Sequence, residues 1–202
     1  MAGLSNKKIG FGVTGSFCTL HRVLPVMEKL QQMGAQVIPI FSQAVYENDT
    51  RFFSSREFID AVHKITGRLP IHTLVDAEPI GPRHLLDMVV IAPCTGNTAA
   101  KLSLGIVDTP VLLAAKAQLR NGGPVVIAIS TNDGLSTNAA SIGRLLNTRN
   151  VYLVPYGQDS AATKPYSLVA HMELIPTACE QALEGVQLQP LLQEYKHEEG
   201  SL

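Results

Sequence analysis

The sequence predicts a three-layer α/β/α domain, Rossmann or flavodoxin-like, around a six-stranded and mostly parallel sheet. Two observations carry this. Runs such as MVVIAP (88–93) and PVVIAIS (124–130) are apolar at nearly every position, as strands buried on both faces must be. Between such runs lie stretches with helical period and cap signals at their ends, the alternation that builds a parallel sheet covered on both sides. A chain of 202 residues suffices for one such domain. No linker, repeat or composition break divides it, and only the tail from about residue 190 is expected to be flexible.

The elements follow in order. Strand one is Ile9–Val13. A helix then runs from about Phe17 to Gly34, with Val23, Val26, Met27 and Leu30 on one face and Pro25 expected to kink it. Strand two is Gln36–Phe41. In SSREFIDAVHKITG, Ser54 and Glu57 have capping-box spacing and Gly67 closes the helix. The segment 71–86, IHTLVDAEPIGPRHLL, holds three turn formers and reads as a loop with a short strand or helix. Met88–Pro93 is a strand and GNTAAKLSLG a short helix. Asp108 is expected to cap the helix TPVLLAAKAQLR, which Asn121-Gly122-Gly123 ends. PVVIAIS is the fifth strand, ASIGRLLN a helix, and Val151–Pro155 the sixth strand. A last helix spans about Glu173 to Leu183.

The first strand lies in IGFGVTGSFCTLHRV, which contains G-x-G-x-x-G as Gly10, Gly12 and Gly15. A dinucleotide site needs a strand before the first glycine and an acid ending the second strand. Here the strand contains the first two glycines, and strand two ends at Ser42, a hydroxyl. Glycines inside a strand signal close approach of a neighbouring backbone. The pattern therefore reads as a strand, the turn Thr14-Gly15-Ser16 and a helix whose N-terminal amides suit a phosphate.

Net charge is −1 and Trp is absent, which argues against nucleic acid as the main partner. No apolar run reaches membrane-spanning length and no signal peptide is apparent, so a cytoplasmic location is expected. Cys18, Cys94 and Cys179 have no metal-ligand spacing, and each is expected to be a small buried hydrophobe.

In a parallel sheet the informative residues follow the strands. Thr14-Gly15-Ser16, Ser42, PCTGNTAAK and STNDGLSTN occupy four of those positions. Each alone reads as a helix cap; together they form a neutral, hydroxyl-rich cradle fit for a phosphomonoester.

The stretch VVIAPCTGNTAAKLSLGIVD (89–108) resembles the flavoprotein family that includes phosphopantothenoylcysteine decarboxylase, the lantibiotic cysteine decarboxylases and the flavin prenyltransferases. Their hallmark is a strand running into P-x-x-x-N-T, then a helix with A-K and G-I-x-D. Here those positions are Pro93, Asn97, Thr98, Lys101, Gly105, Ile106 and Asp108. The resemblance implies an FMN site, or one occupied by phosphate alone. It would comprise Thr14, Gly15 and Ser16 in the first loop, Ser42 at the phosphate, and Pro93, Thr95, Gly96, Asn97 and Thr98. Ser130, Thr131 and Asn132 stand where the family has P-A-M-N beside the isoalloxazine; the Asn matches, the Pro and Met do not.

Two departures weaken a plain decarboxylase reading. The family's flap cysteine has no counterpart in YGQDSAATKPYS. The family's catalytic histidine has its nearest candidate in His72, set off by the insert VDAEPIGPRH; the alternative is a surface histidine, and His84 and His21 are weaker candidates.

Four segments, DAEPIGP, APCTGNTAAKLSLGIVDTPV, KAQLRNGGPVVIAISTNDGL and PYGQDSAATKPYSLVA, are similar to one branch of this family. Its members are the flavoprotein-like subunits of two-component synthases that make a pyridine dicarboxylate in sporulating bacteria. That resemblance implies an oxidoreductase component in the mother-cell cytoplasm, acting on a dihydro or hydroxytetrahydro precursor with a dehydrogenase-like partner that carries NADP. A stand-alone FMN-dependent decarboxylase and a non-catalytic phosphate- or FMN-binding scaffold are the alternatives. A dicarboxylate substrate calls for cations, among which Arg83, Lys116, Arg120, Arg144 and Lys164 are candidates. The helix TPVLLAAKAQL is apolar or alanine around most of its circumference, which predicts a homo-oligomer, built on trimers as the resemblance implies.

Overall fold

The computed structural model describes residues 3–52 and 54–193. The tail expected to fray lies mostly outside them. Strands β1 (Lys8–Val13), β2 (Gln36–Phe41), β3 (Met88–Cys94), β4 (Val125–Thr131) and β5 (Val151–Leu153) pair in parallel, in the order β2-β1-β3-β4-β5. Two further strands, β6 (Tyr156–Ser160) and β7 (Lys164–Ala170), form an antiparallel hairpin. Through Ser130↔Val169 and Thr131↔Leu168, β7 attaches to the C-terminal end of β4, beyond the residues that pair with β5. The sheet thus has seven strands.

The six-strand expectation differs at two places. The segment after Ile71 forms a short helix, α4 (Leu74–Ala77), and a 3-10 turn, leaving only an isolated bridge between Ile71 and Ile40. Its prolines and glycine cannot sustain a ladder. The stretch after Pro155, expected to be a flap, is the β6–β7 hairpin.

Helices α1 (Leu20–Gln32), α2 (Gln43–Glu47), α3 (Ser55–Thr66), α5 (Gly96–Ser103), α6 (Pro110–Arg120), α7 (Ala139–Leu146) and α8 (Ile175–Leu183) complete the layers. Helix α1 starts at Leu20 after a 3-10 turn, Phe17–Thr19, and continues through Pro25. Its buried side chains are Leu20, Val23, Val26, Met27 and Leu30, the predicted face. The α3 capping box forms as expected: the Glu57 amide donates to Ser54 Oγ (3.2 Å), and the Ser54 amide donates to Glu57 Oε2 (3.1 Å). The Ser54 amide, and the Ser54 hydroxyl donating to the same oxygen at 2.9 Å, hold the Glu57 carboxyl below its ordinary range. Gly67 closes α3 in the left-handed region, φ 69°.

Helix α6 is capped by Thr109, not Asp108: Thr109 Oγ1 accepts from the Leu112 amide. Asp108 instead meets Lys101 Nζ at 2.5 Å, bracing the end of α5. The apolar circumference of α6 is covered within the single chain. Val111, Leu112, Ala114, Ala115 and Ala117 are buried, and Gln118 Nε2 donates to the Asp87 carbonyl at 2.9 Å. The helix therefore supplies no argument for an oligomer; it is the central helix of this layer.

Gly10 and Gly12 lie inside β1 as predicted, but what approaches them is mostly side chain. A Cβ on Gly10 would stand 2.5 Å from Leu86 Cδ1; one on Gly12 would stand 2.7 Å from Val111 Cγ1. The glycines let the overlying layer sit down on β1. Cys94 and Cys179 are buried, whereas Cys18 is exposed, against expectation. Burial pushes the Cys94 thiol up to about 12 and raises that of Cys179 as well.

Candidate cofactor site

The chain passes from β1 to β2 on one side and to β3 on the other, so the strand order reverses between β1 and β3. The C-terminal ends of such neighbours diverge and leave a crevice. Thr14, just past β1, ties the two ends together. Its buried Oγ1 donates to the Pro93 carbonyl (2.7 Å) and accepts from the Thr95 amide (3.0 Å). Thr95 Oγ1 then caps α5, accepting from the Thr98 amide (3.2 Å) and pairing with Thr98 Oγ1 (3.0 Å). Ser16 Oγ and Ser130 Oγ are 2.8 Å apart, linking the first turn to the end of β4, and Thr19 Oγ1 lies 3.0 and 3.2 Å from them.

These elements enclose a cavity of about 560 Å³. Gly15, Ser16, Thr95, Gly96, Asn97, Ser130, Thr131 and Asn132 line it, so eight of the residues predicted for the site converge on one space. Thr14, Pro93 and Thr98 lie behind the wall as its fasteners. Ser42 is also off the wall. Its amide donates to the Val13 carbonyl (3.0 Å), while its buried Oγ lacks a hydrogen-bond partner. A buried hydroxyl without a partner costs free energy, and this one lies at the head of α2, whose Ala44 Cβ is 3.4 Å from the Cβ position of Gly15. An anion held between the Gly15 turn and Ser42 would satisfy it. The residues present thus fit a phosphate group.

His72 is not on the cavity wall. Its ring stacks on Tyr46, centroids 3.7 Å apart and planes 7° from parallel, with Nδ1 3.4 Å from the Pro70 carbonyl. His21 and His84 do not line the cavity either. Of the cations proposed, Lys164 lines it; Arg83, Lys116, Arg120 and Arg144 do not.

The wall also holds residues that no sequence signal singled out: Phe17, Cys18, Arg51, Phe52, Asp133 and Asp159. Asp159 and Lys164 come from the hairpin and pair at 2.6 Å. Asp133 is the most firmly held. Asn138 Nδ2 donates to its Oδ2 at 2.7 Å, and Thr131 Oγ1 donates to its Oδ1. Its carbonyl accepts from the amides of Ser136 and Asn138 (3.0 and 3.1 Å). This network presses on the start of α5. A Cβ on Gly96 would stand 2.5 Å from both Asn138 Nδ2 and Thr131 Oγ1 and 2.7 Å from Asp133 Oδ1. Asp133 directly follows Asn132, and an acid among the hydroxyls of STNDGLSTN is the one hint the sequence holds. Among the described residues, no group of three or more His, Cys, Asp or Glu could hold a metal ion.

A switch-point cavity walled by hydroxyls and the Pro93-x-x-x-Asn97-Thr98 turn defines a class, and residues 2–156 match the family described as Flavoprotein. The chain belongs to that family. Within it, the chain is 46% identical to the B subunit of dipicolinate synthase from Bacillus subtilis (strain 168), over 96% of this chain and 97% of the relative. The crystal structure of the corresponding B subunit from Bacillus halodurans C superposes with a TM-score of 0.88 at 49% identity, covering 95% of this chain and 98% of that one. The fold extends to the FMN-dependent cysteine decarboxylase SpaF, TM-score 0.63 at 20% identity over 90% of this chain and 97% of that one. At that identity the likeness shows the fold alone.

Proposed function

We propose that this chain is the flavoprotein-like B subunit of a dipicolinate synthase. It would work with the dehydrogenase-like A subunit, which carries NADP, oxidising a dihydrodipicolinate-type precursor to dipicolinate in the mother-cell cytoplasm of a sporulating bacterium. Near-full-length similarity to the Bacillus subtilis B subunit, at 46% identity, carries this reading. The cavity supports it: hydroxyls and glycines at the C-terminal strand ends suit a phosphate-bearing group, and Arg51 brings positive charge for a small dicarboxylate.

FMN is the cofactor proposed for the cradle, and when bound it would supply a two-electron relay between the substrate and the partner's nicotinamide. The chain's own residues do the rest. The Gly15 turn and Ser42 hold the phosphate; Asn97, Ser130, Thr131 and Asn132 line the space for the ring and the substrate; the hairpin adds Asp159, Lys164, Ser167 and Val169 to the wall. His72, the catalytic candidate, stacks on Tyr46 and does not line this cavity. A trimer-based homo-oligomer is the assembly proposed here; a dodecameric UbiX-like decarboxylase from Escherichia coli O157:H7 shares the fold at 21% identity, TM-score 0.59. The stand-alone decarboxylase reading is weakened because β6, β7 and the turn between them contain no cysteine. The scaffold reading keeps the cradle and drops the redox chemistry.

The test is to purify the chain, record its absorption spectrum, identify any released cofactor, and assay the two synthase components separately and mixed. Flavin or phosphate in the cradle and turnover only in the mixture support the proposal. Full turnover by the dehydrogenase-like partner without this chain makes this chain a scaffold. Turnover by this chain without the partner, given free NADP, refutes the assignment of the nicotinamide to the partner.

A further inference from the structure

Asp133 is the carboxylate on the cavity wall whose position is fixed by donors from two elements, Thr131 at the end of β4 and Asn138 at the head of α7. Each carboxylate oxygen accepts one of these hydrogen bonds, so neither residue can be satisfied if the side chain rotates away. A carboxylate oxygen has more than one lone-pair direction, so capacity remains toward the cavity. The other carboxylate among the described residues of the wall, Asp159, is paired with Lys164 at 2.6 Å. Asp133 also stands against the start of α5, close enough that Gly96 has no room for a side chain. That end of the cavity therefore presents negative charge and favours a ligand group that donates a proton, while Arg51, elsewhere on the wall, favours carboxylates.

We propose that Asp133 is the group that accepts the substrate's proton. This rests on the synthase reading above. Aromatising a dihydropyridine dicarboxylate removes one hydride and one proton from the ring. The hydride leaves with both electrons of its C–H bond and reduces the oxidised nicotinamide dinucleotide of the partner. The proton from the adjacent ring C–H passes to Asp133 Oδ, and that bond's electron pair becomes part of the ring. Carboxylate plus dihydropyridine plus oxidised nicotinamide gives carboxylic acid plus pyridine plus reduced nicotinamide. Thr131 and Asn138 are positioning residues that aim the acceptor.

The immediate product complex then contains a protonated Asp133 beside a pyridine dicarboxylate dianion. Among the described residues, the other titratable or charged groups facing the cavity are Cys18, Arg51, Asp159 and Lys164, and the test variant is Asp133→Asn, which keeps the side chain's shape and removes the proton acceptor. Isothermal titration calorimetry of the full chain with pyridine-2,6-dicarboxylate should show wild-type affinity in D133N; binding lost in D133N alone makes Asp133 a binding residue and overturns its role. In the two-component assay, D133N should lower kcat about 100-fold or more with KM unchanged, the size of a lost general base. A raised KM with kcat intact would make Asp133 a binding or structural residue and overturn its role. If the wild-type mixture is inactive, the synthase reading fails; if the wild-type mixture turns over and D133N keeps its kcat, Asp133's role alone is overturned.

Discussion

Gly96→Ala offers the sharpest test of how the cavity is built. The new methyl would lie 2.5, 2.5 and 2.7 Å from Asn138 Nδ2, Thr131 Oγ1 and Asp133 Oδ1, where van der Waals contact needs about 3.5 Å. None of the three can swing away freely, because each is hydrogen-bonded to another. Overpacking of this kind costs about 1–3 kcal/mol. Losing one hydrogen bond to the Asp133 carboxylate adds about 1.5–3 kcal/mol. Alanine's better helix propensity returns at most about 1 kcal/mol. The net loss is about 1.5–5 kcal/mol, which in a chain of this size lowers Tm by roughly 3–20 °C. Differential scanning calorimetry measures this, and a phosphate or FMN titration on the same sample reads the cavity. A variant melting within about 2 °C of wild type with unchanged ligand binding would show that the Asp133 network does not constrain the start of α5.

Gly143→Ala provides the contrast: in α7 with nothing within 4 Å of its Cβ position, it should raise stability by about 0.5–1 kcal/mol, read as a higher Tm. Asn97→Leu, on the cavity wall, should abolish flavin binding in a fluorescence titration; unchanged affinity refutes the assignment of the site. In the native protein at mildly alkaline pH a thiol reagent should label Cys18 alone, because burial holds Cys94 at about 12 and raises Cys179. Those raised thiols also set a sign: the fold favours their neutral forms, so their contribution is complete below the unfolded thiol range, 9.0 for Cys94, and is lost as pH rises toward about 12. Chemical denaturation across that interval should show falling stability.

The parallel strands were legible because burial on both faces forces unbroken apolar runs, and the α3 capping box because its two residues lie three apart in one helix. The hairpin was not legible. YGQDS and KPYSLVA carry partly polar faces, and the partners of β7 on β4 are far away in sequence. Asp108 was misread for a local reason: it and Thr109 are both competent caps, but Pro110 at the first helical position makes Thr109 the cap, and Asp108 pairs with Lys101. The exposed side of the cavity was missed because Arg51 and Phe52 sit in a loop with no periodicity to point inward.

The glycine pattern of β1 makes the same division from the other direction. G-x-G-x-x-G is ordinarily read by what a ligand requires of a backbone. In this chain Gly10 faces Leu86 and Gly12 faces Val111, both inside the apolar core, and only Gly15 reaches the cavity. The first two glycines answer to layer packing and the third to the site, so the three need not vary together. Gly10→Ala and Gly12→Ala should lower thermal stability through overpacking, by about 1–3 kcal/mol each, and leave phosphate or FMN affinity unchanged. Gly15→Ala meets only ordinary contacts at 3.4 Å, with Ala44 Cβ and Phe17 Cζ, and should do the reverse. Calorimetric melting and ligand titration of the three variants separate the two requirements. A loss of affinity from Gly10 or Gly12 with stability intact would restore the dinucleotide meaning of the motif.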